Sequence, residues 1–130
     1  MQLKTIRVGI VGAGANVRER HAPGFRAIDG VEIVAVCNRT RESSERAASE
    51  LGISRVHDNW LELVEGDEVD AVCIGTWPDS HCPITLAALA RGKHVLTEAR
   101  MALNAGEAQA MLHASRAAPH LVAQVVPAPY

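Results

Sequence analysis

Ile6-Arg7-Val8-Gly9-Ile10-Val11-Gly12-Ala13-Gly14 decides the fold of this chain. Ile6 to Val11 is a mostly apolar, β-branched run of the kind that forms a strand covered on both faces. Two glycines follow at once, and a helical region is expected from about Asn16. A strand that ends in a bare-backbone turn and feeds a helix gathers unpaired N–H groups at one point above the sheet, which is a seat for a diphosphate. Gly12 and Gly14 supply the first two positions of G-x-G-x-x-G. The first permits the turn, and the second lets a pyrophosphate approach the backbone. The third position is Val17 instead of glycine. That glycine serves close helix–strand packing, so Val17 is expected to push the helix slightly outward. Gly12, Ala13, Gly14, Ala15 and Asn16 are therefore the candidate phosphate-binding residues. An ordinary strand-to-helix turn, or a methyltransferase site for S-adenosylmethionine, would begin in a similar way. The apolar run ahead of the turn, and a second strand ending about 25 residues later, favour a dinucleotide.

Working outward, strands and helices alternate. The helical region from Asn16 to Ile28 contains Pro23, which predicts two short pieces and not one rod. Asp29-Gly30 is a turn, and Val31 to Cys37 a second, almost wholly apolar strand. Thr40 caps a helix from Arg41 to Leu51 that Gly52 ends. A short strand over Arg55 to His57 leads to a brief helix capped by Asp58 or Asn59 and ending near Glu65. Val69 to Gly75 is the fourth strand, and Pro83 to Arg91 a helix closed by Gly92. His94 to Thr97 is the fifth strand. Asn104, with Glu107 three residues on, caps a helix to about Ala118. Leu121 to Val126 is the sixth strand, and Pro127 to Tyr130 reads as a linker stub. This order predicts one α/β domain over residues 1–126, a doubly wound parallel sheet between two helical layers.

Composition narrows the function classes. At 130 residues and 48% apolar side chains, the chain can bury about 65–70% of its unfolded surface. Aromatics are only 3%, so Val, Ile, Leu and Ala must fill the core. The net charge of −2, without a basic stripe, argues against a nucleic-acid partner. No apolar run approaches the roughly 20 residues of a membrane span. The early start of the first strand leaves no room for a secretory signal, and a cytoplasmic location is expected. Cys37, Cys73 and Cys82 form no C-x-x-C pair, and their odd number argues against a disulfide framework. The six histidines show no zinc-like spacing, so no metal site is expected.

In such sheets function sits at the carboxyl ends of the strands. After the second strand come Asn38, Arg39 and Thr40, without the acid that accepts a ribose 2′-hydroxyl in NAD binders. Asn38 suits a ribose hydroxyl, Arg39 a 2′-phosphate or the adenine face, and Thr40 adds a hydroxyl, so NADP is expected over NAD. Arg39 as a solvated loop charge is the plain alternative. After the fourth strand, Gly75 and Thr76 can bring backbone to the nicotinamide ribose, and Trp77 and Pro78 can wall the cofactor, with Trp77 as a surface anchor packing on its own loop the plain alternative. His81 can touch the cofactor or cap the turn. After the fifth strand, Glu98 can hold a ribose hydroxyl, orient a base, or bond loop N–H groups.

VGIVGAG, VEIVAVCNRT, VDAVCIGTWPDSH, and GKHVLTE followed by MALNAGEAQAM together resemble the oxidoreductases typified by glucose–fructose oxidoreductase, inositol dehydrogenase and MocA, from Ile6 through Pro127. The resemblance implies a Rossmann-like nucleotide domain, followed in the family by a larger α/β domain with the sugar or polyol pocket and usually the oligomer face. In the family pattern GKHVLTE continues Glu-Lys-Pro, and the lysine assists proton transfer at the hydride-exchanging carbon. Here Glu98 is followed by Ala99 and Arg100. Ala99 has no proton to give, and Arg100 has no accessible neutral form, although it can polarise a carbonyl or grip a carboxylate. Glu98 and Arg100 are thus the only catalytic candidates, and neither is a general base of the family type.

Two function classes follow. One is the cofactor half of an NAD(P)-dependent oxidoreductase acting on a sugar, polyol or related small molecule, inactive without a substrate domain. The other is a non-catalytic dinucleotide-binding protein, a pseudoenzyme or regulator, which Ala99 favours. A dimerisation module with a vacant nucleotide site is a weaker third. The apolar sixth strand LVAQVV is expected to be exposed in this chain, so a homodimer or higher homo-oligomer is expected.

Overall fold

The structure, a computed structural model, describes residues 4–127. Six parallel strands form one sheet: β1 (Ile6–Val11), β2 (Val31–Cys37), β3 (Arg55–Val56), β4 (Ala71–Ile74), β5 (His94–Thr97) and β6 (Ala123–Val125). Their order is β3-β2-β1-β4-β5-β6, the doubly wound arrangement in which the chain reverses direction between β1 and β4. The helices are α1 (Ala22–Arg26), α2 (Arg41–Leu51), α3 (Trp60–Glu65), α4 (His81–Ala90) and α5 (Ala105–Ala117). One core layer packs Val17, Phe25, Ala47 and Ala48 on Val8, Ile10, Val36 and Cys73. The other packs Leu63, Val64, Ile84, Ala88 and Ala114 on Val11, Ala35, Val72 and Ile74. The two crossovers through α1 and α2 thus cover one face, and α3, α4 and α5 the other, as the alternation of elements requires.

Short polar side chains start the helices. Thr40 Oγ1 accepts from Ser43 N–H at 3.1 Å, Asn59 Oδ1 from Glu62 N–H at 3.0 Å, and Asn104 Oδ1 from Glu107 N–H at 2.9 Å. Asn59, not Asp58, is the cap of α3. Glu107 Oε1 accepts from Leu103 N–H at 2.9 Å, one residue beyond the N-cap N–H that the standard capping box uses. Helix α4 starts at His81, ahead of Pro83, because a 3-10 turn at Pro78–Ser80 already sets the helical path. Strands β3, β4 and β6 are shorter than expected, since His57, Val69, Gly75, Val122 and Val126 flank the regular ladder.

The segment before α1 corrects the expectation of two separate helical pieces. The backbone is continuously helical from residue 15 through 26, with a wide π-type turn at Val17–His21. Ala22 N–H reaches back five residues to Val17 C=O. Pro23 has no N–H and its ring crowds the preceding turn, and widening that turn accommodates it without a break.

The amino ends of the strands are held by charge. The Arg7 guanidinium donates to Asp70 at 3.0 Å, and Arg7 N–H to the same carboxylate at 2.9 Å. The Arg7 side-chain hydrogen bond is the main cause that lowers the Asp70 carboxyl to about 2, against the opposing effect of burial. Lys93 is buried and donates to Gly66 C=O at 2.7 Å and Val69 C=O at 2.6 Å, closing the α3–β4 loop. All three cysteines are buried free thiols, and burial raises Cys37 to about 11 and Cys73 to about 12. No described helix is long and apolar enough to cross a membrane. Pro127 is irregular, and the remainder of the expected linker, 128–130, lies outside the described residues.

Candidate functional site

The carboxyl ends of β1, β2 and β4 enclose a cleft of about 620 Å³, within the range of small-ligand sites. It lies at the reversal point of the sheet. Its floor is the turn after β1. Gly12 has φ of +86°, a left-handed conformation that a side chain disfavours. A Cβ there would lie 2.6 Å from Thr76 N and 2.7 Å from Gly75 C. A Cβ on Gly75 would in turn lie 2.4 Å from Gly12 O and 2.5 Å from Val17 Cγ2. The loops after β1 and β4 therefore touch backbone to backbone, which leaves no room for a side chain on either glycine. This contact also explains how Val17 replaces the third glycine. Val17 is buried against the bare Cα of Gly75, so close packing survives with the small residue moved to the partner loop.

Gly14 is the opposite case. A Cβ there would meet no protein atom within 4 Å, and its φ is not left-handed. Gly14, Ala15 and Asn16 are exposed, and among the described residues their backbone N–H groups have no hydrogen-bond partner. The neighbouring amides are spoken for. Gly12 N–H donates to Cys37 C=O at 2.9 Å, and Ala13 N–H to Asn38 Oδ1 at 2.7 Å. Three consecutive open amides at the start of a helical segment, with bare space above the glycine, form a cradle that fits a diphosphate.

The structure gives Asn38 a task besides the expected ribose contact. Its Oδ1 accepts from Ala13, and its Nδ2 donates to Ser43 Oγ at 2.9 Å. Both ends of the amide clamp the glycine turn to the start of α2. Thr40 likewise serves as the cap of α2 and does not line the cleft. Arg39 does line it. Its guanidinium carbon lies 4.4 Å from the ring centroid of Trp77, so the loops after β2 and β4 meet over the cleft through a cation–π contact.

Of the two expectations for His81, the structure matches the turn contact and not the cofactor contact. It is fully buried below the rim, with Nε2 2.9 Å from Thr76 O and Nδ1 2.6 Å from Arg100 O. It ties the β4 loop to the β5 loop and does not face the cleft. Pro78 opens the 3-10 turn behind Trp77. Glu98 lies on the β5 side of the glycine turn, where its carboxylate accepts from Asn16 Nδ2 and contacts His21 Nε2. It bonds neighbouring side chains, where the sequence left loop N–H groups as one option. The side chain of Arg100 is exposed, and the Ala99–Arg100 peptide is cis.

Gly12, Ala13, Gly14, Asn38, Arg39, Gly75, Thr76 and Trp77 thus converge on one cleft. Ala15, Asn16 and Glu98 adjoin its β5 side. The far wall comes from residues the sequence reading did not single out, Ser43 on α2 and Asp58, Asn59 and Trp60 at the start of α3. The available signal was topological: β3 lies beside β2, so the loop after β3 borders the same crevice. Arg41 donates to Asp58 at 3.0 Å and pairs with Glu45, which offsets the Asp58 charge there.

Comparison with known proteins agrees with this geometry. The family described as "Oxidoreductase family, NAD-binding Rossmann fold", GFO_IDH_MocA, matches residues 6–125. Inositol 2-dehydrogenase of Serratia proteamaculans is 34% identical over 102 residues, covering 78% of this chain and 30% of that protein. The crystal structure of myo-inositol 2-dehydrogenase from Lactobacillus plantarum superposes with a TM-score of 0.85 at 28% identity, covering 95% of this chain and 36% of that one. Biliverdin reductase from Synechocystis, in complex with biliverdin and NADP+, superposes with a TM-score of 0.84 at 30% identity, covering 92% of this chain and 37% of that one. The chain spans about a third of the length of the relatives it matches.

Proposed function

This chain belongs to the GFO/IDH/MocA oxidoreductase family, and we propose that it is the cofactor-holding part of an enzyme that transfers hydride to or from a sugar, polyol or related small molecule, with NADP preferred over NAD. One observation carries the reading: the open amides of Gly14, Ala15 and Asn16 beside the empty space over Gly14. A bound nicotinamide dinucleotide supplies the hydride chemistry. The residues of the chain bind and orient it. The three amides face the diphosphate, and Asn38 keeps the turn rigid from below. Thr76 and Trp77 wall the cleft, and Arg39 meets a 2′-phosphate. Glu98, held by Asn16 and His21, fixes the β5 side of the glycine turn. No residue here matches the proton-transfer lysine of the family pattern, because Ala99 stands in that place. Substrate capture and proton transfer are assigned to a separate substrate domain. Ala99 also favours the second reading, a dinucleotide-binding regulator that performs no turnover.

Trp60 and Trp77 both line the cleft, so their emission reports occupancy. Titration with NADPH is expected to quench it saturably. Unchanged emission up to millimolar nucleotide would contradict the reading.

Self-association is part of the same proposal. Strand β6 is an edge of the sheet, its Ala123 and Gln124 are exposed, and Val122 beside them is 64% exposed. An apolar hollow of about 190 Å³ next to it is lined by Phe25, Cys73, Leu96 and Val122, among others. An uncovered apolar edge favours pairing with a second copy. Light scattering at high concentration is expected to give the mass of a dimer, and a clean monomer mass would contradict it.

A further inference from the structure

We propose that Trp77 is a specificity-determining residue for the nucleotide, because it holds Arg39 in place over the cleft and so sets how strongly a 2′-phosphate is preferred. The inference rests on the NADP reading above and deepens it. Arg39 and Trp77 come from different loops, after β2 and after β4, and meet across the cleft at 4.4 Å. Trp77 is 68% exposed, far more than a tryptophan placed only to fill a core. Its indole is instead a platform. Among the described residues, Arg39 has no ion pair and no side-chain hydrogen bond, so its N–H groups remain open to an anion.

Two other arginines near the turn, Arg18 and Arg41, are engaged. Arg18 pairs with Glu50 at 2.6 Å and donates to Ala13 C=O at 3.2 Å, and Arg41 pairs with Glu45 and Asp58. Among the described residues, Arg39 is the arginine that lines the cleft and so the cation placed to meet a phosphate on this wall. An exposed arginine samples many rotamers, and fixing it on binding opposes the gain from its new hydrogen bonds. The contact with Trp77 restrains the guanidinium before the ligand arrives, while its N–H groups make no side-chain hydrogen bond among the described residues. A phosphate on the ribose gains from that order, and a bare 2′-hydroxyl gains little. Trp77 thus acts as a positioning residue for Arg39, and its removal should change the ratio of affinities more than the affinity for NADH.

The test measures dissociation constants for NADPH and NADH by calorimetry, with the intact chain and with Trp77→Ala, Trp77→Phe and Arg39→Ala. Trp77→Ala is expected to lower the NADPH-to-NADH preference about fivefold, Trp77→Phe to retain most of it, and Arg39→Ala to remove it. Thermal unfolding should be nearly unchanged in all three, since both side chains are exposed. If the intact chain prefers NADPH, Arg39→Ala abolishes that preference and Trp77→Ala leaves it intact, the role of Trp77 is overturned while the NADP reading stands. If the intact chain binds NADH as tightly as NADPH, the NADP reading fails and the role of Trp77 fails with it.

Discussion

Gly14→Val removes dinucleotide binding and leaves the fold intact. The backbone of Gly14 is not left-handed, and a Cβ at that position would meet no protein atom within 4 Å. Valine therefore fits the folded chain, and the cost to stability should stay within about 0.5 kcal/mol. The space it fills is the space above the three open amides. Two methyl groups there keep a diphosphate from reaching the N–H groups of Gly14, Ala15 and Asn16. The expected loss is about 100-fold in affinity for NADPH and NADH alike, equivalent to about 2.7 kcal/mol. Equal loss for the two cofactors matters, because the diphosphate is common to both. Calorimetry paired with thermal unfolding reads both halves of the result. Unchanged affinity with an unchanged melting temperature would place the diphosphate elsewhere.

Gly12→Ala does the reverse: it damages the fold first. Two penalties act together there. The +86° φ is strained for any side chain, and the new Cβ would sit 2.6 Å from Thr76 N and 2.7 Å from Gly75 C. Those neighbours are backbone atoms, so no rotamer change relieves the contact. Strain of this kind costs roughly 1–3 kcal/mol, and overpacking about as much again, giving about 4 kcal/mol in total. That is a large fraction of the 5–15 kcal/mol that typically holds a domain together. The melting temperature should fall by about 15 °C. A fall of under about 3 °C would mean that the loops after β1 and β4 do not meet as described. Two glycines two residues apart thus give opposite outcomes, one lost through binding and the other through folding.

The architecture was legible because its signals are local. The apolar runs of β1 and β2, the caps Thr40, Asn59 and Asn104, and the stops Gly52 and Gly92 each mark an element within a few residues. What escaped the sequence depends on contacts between distant residues. Val17 looked like a packing fault until Gly75 was seen beneath it, and the π-type turn absorbs Pro23 in a way no periodicity encodes. Asn38 is legible as a residue of the site, but its bonds to Ala13 and Ser43 follow only from the folded path of the two loops. His81 stands in the rim sequence yet points inward, because Thr76 and Arg100 offer carbonyl oxygens below the surface. The wall from Ser43 and Asp58 to Trp60 went unnoticed because those residues carry no motif and enter the site only through the position of β3.

The role of Ala99 separates what the chain holds from what it does. A lysine introduced there restores a proton donor but supplies no pocket for a sugar, so no turnover is expected. Substrate-dependent reduction of the cofactor by Ala99→Lys in this chain alone would contradict the assignment of substrate capture to a separate domain. Binding comes first, and with it the question of which atoms receive the diphosphate. Amide nitrogen–proton spectra of the labelled chain, recorded with increasing NADPH, address those atoms directly. The resonances of Gly14, Ala15 and Asn16 should shift the most and saturate together, while the already bonded amides of Gly12 and Ala13 shift less. Shifts absent from these three amides at saturating nucleotide would contradict the account.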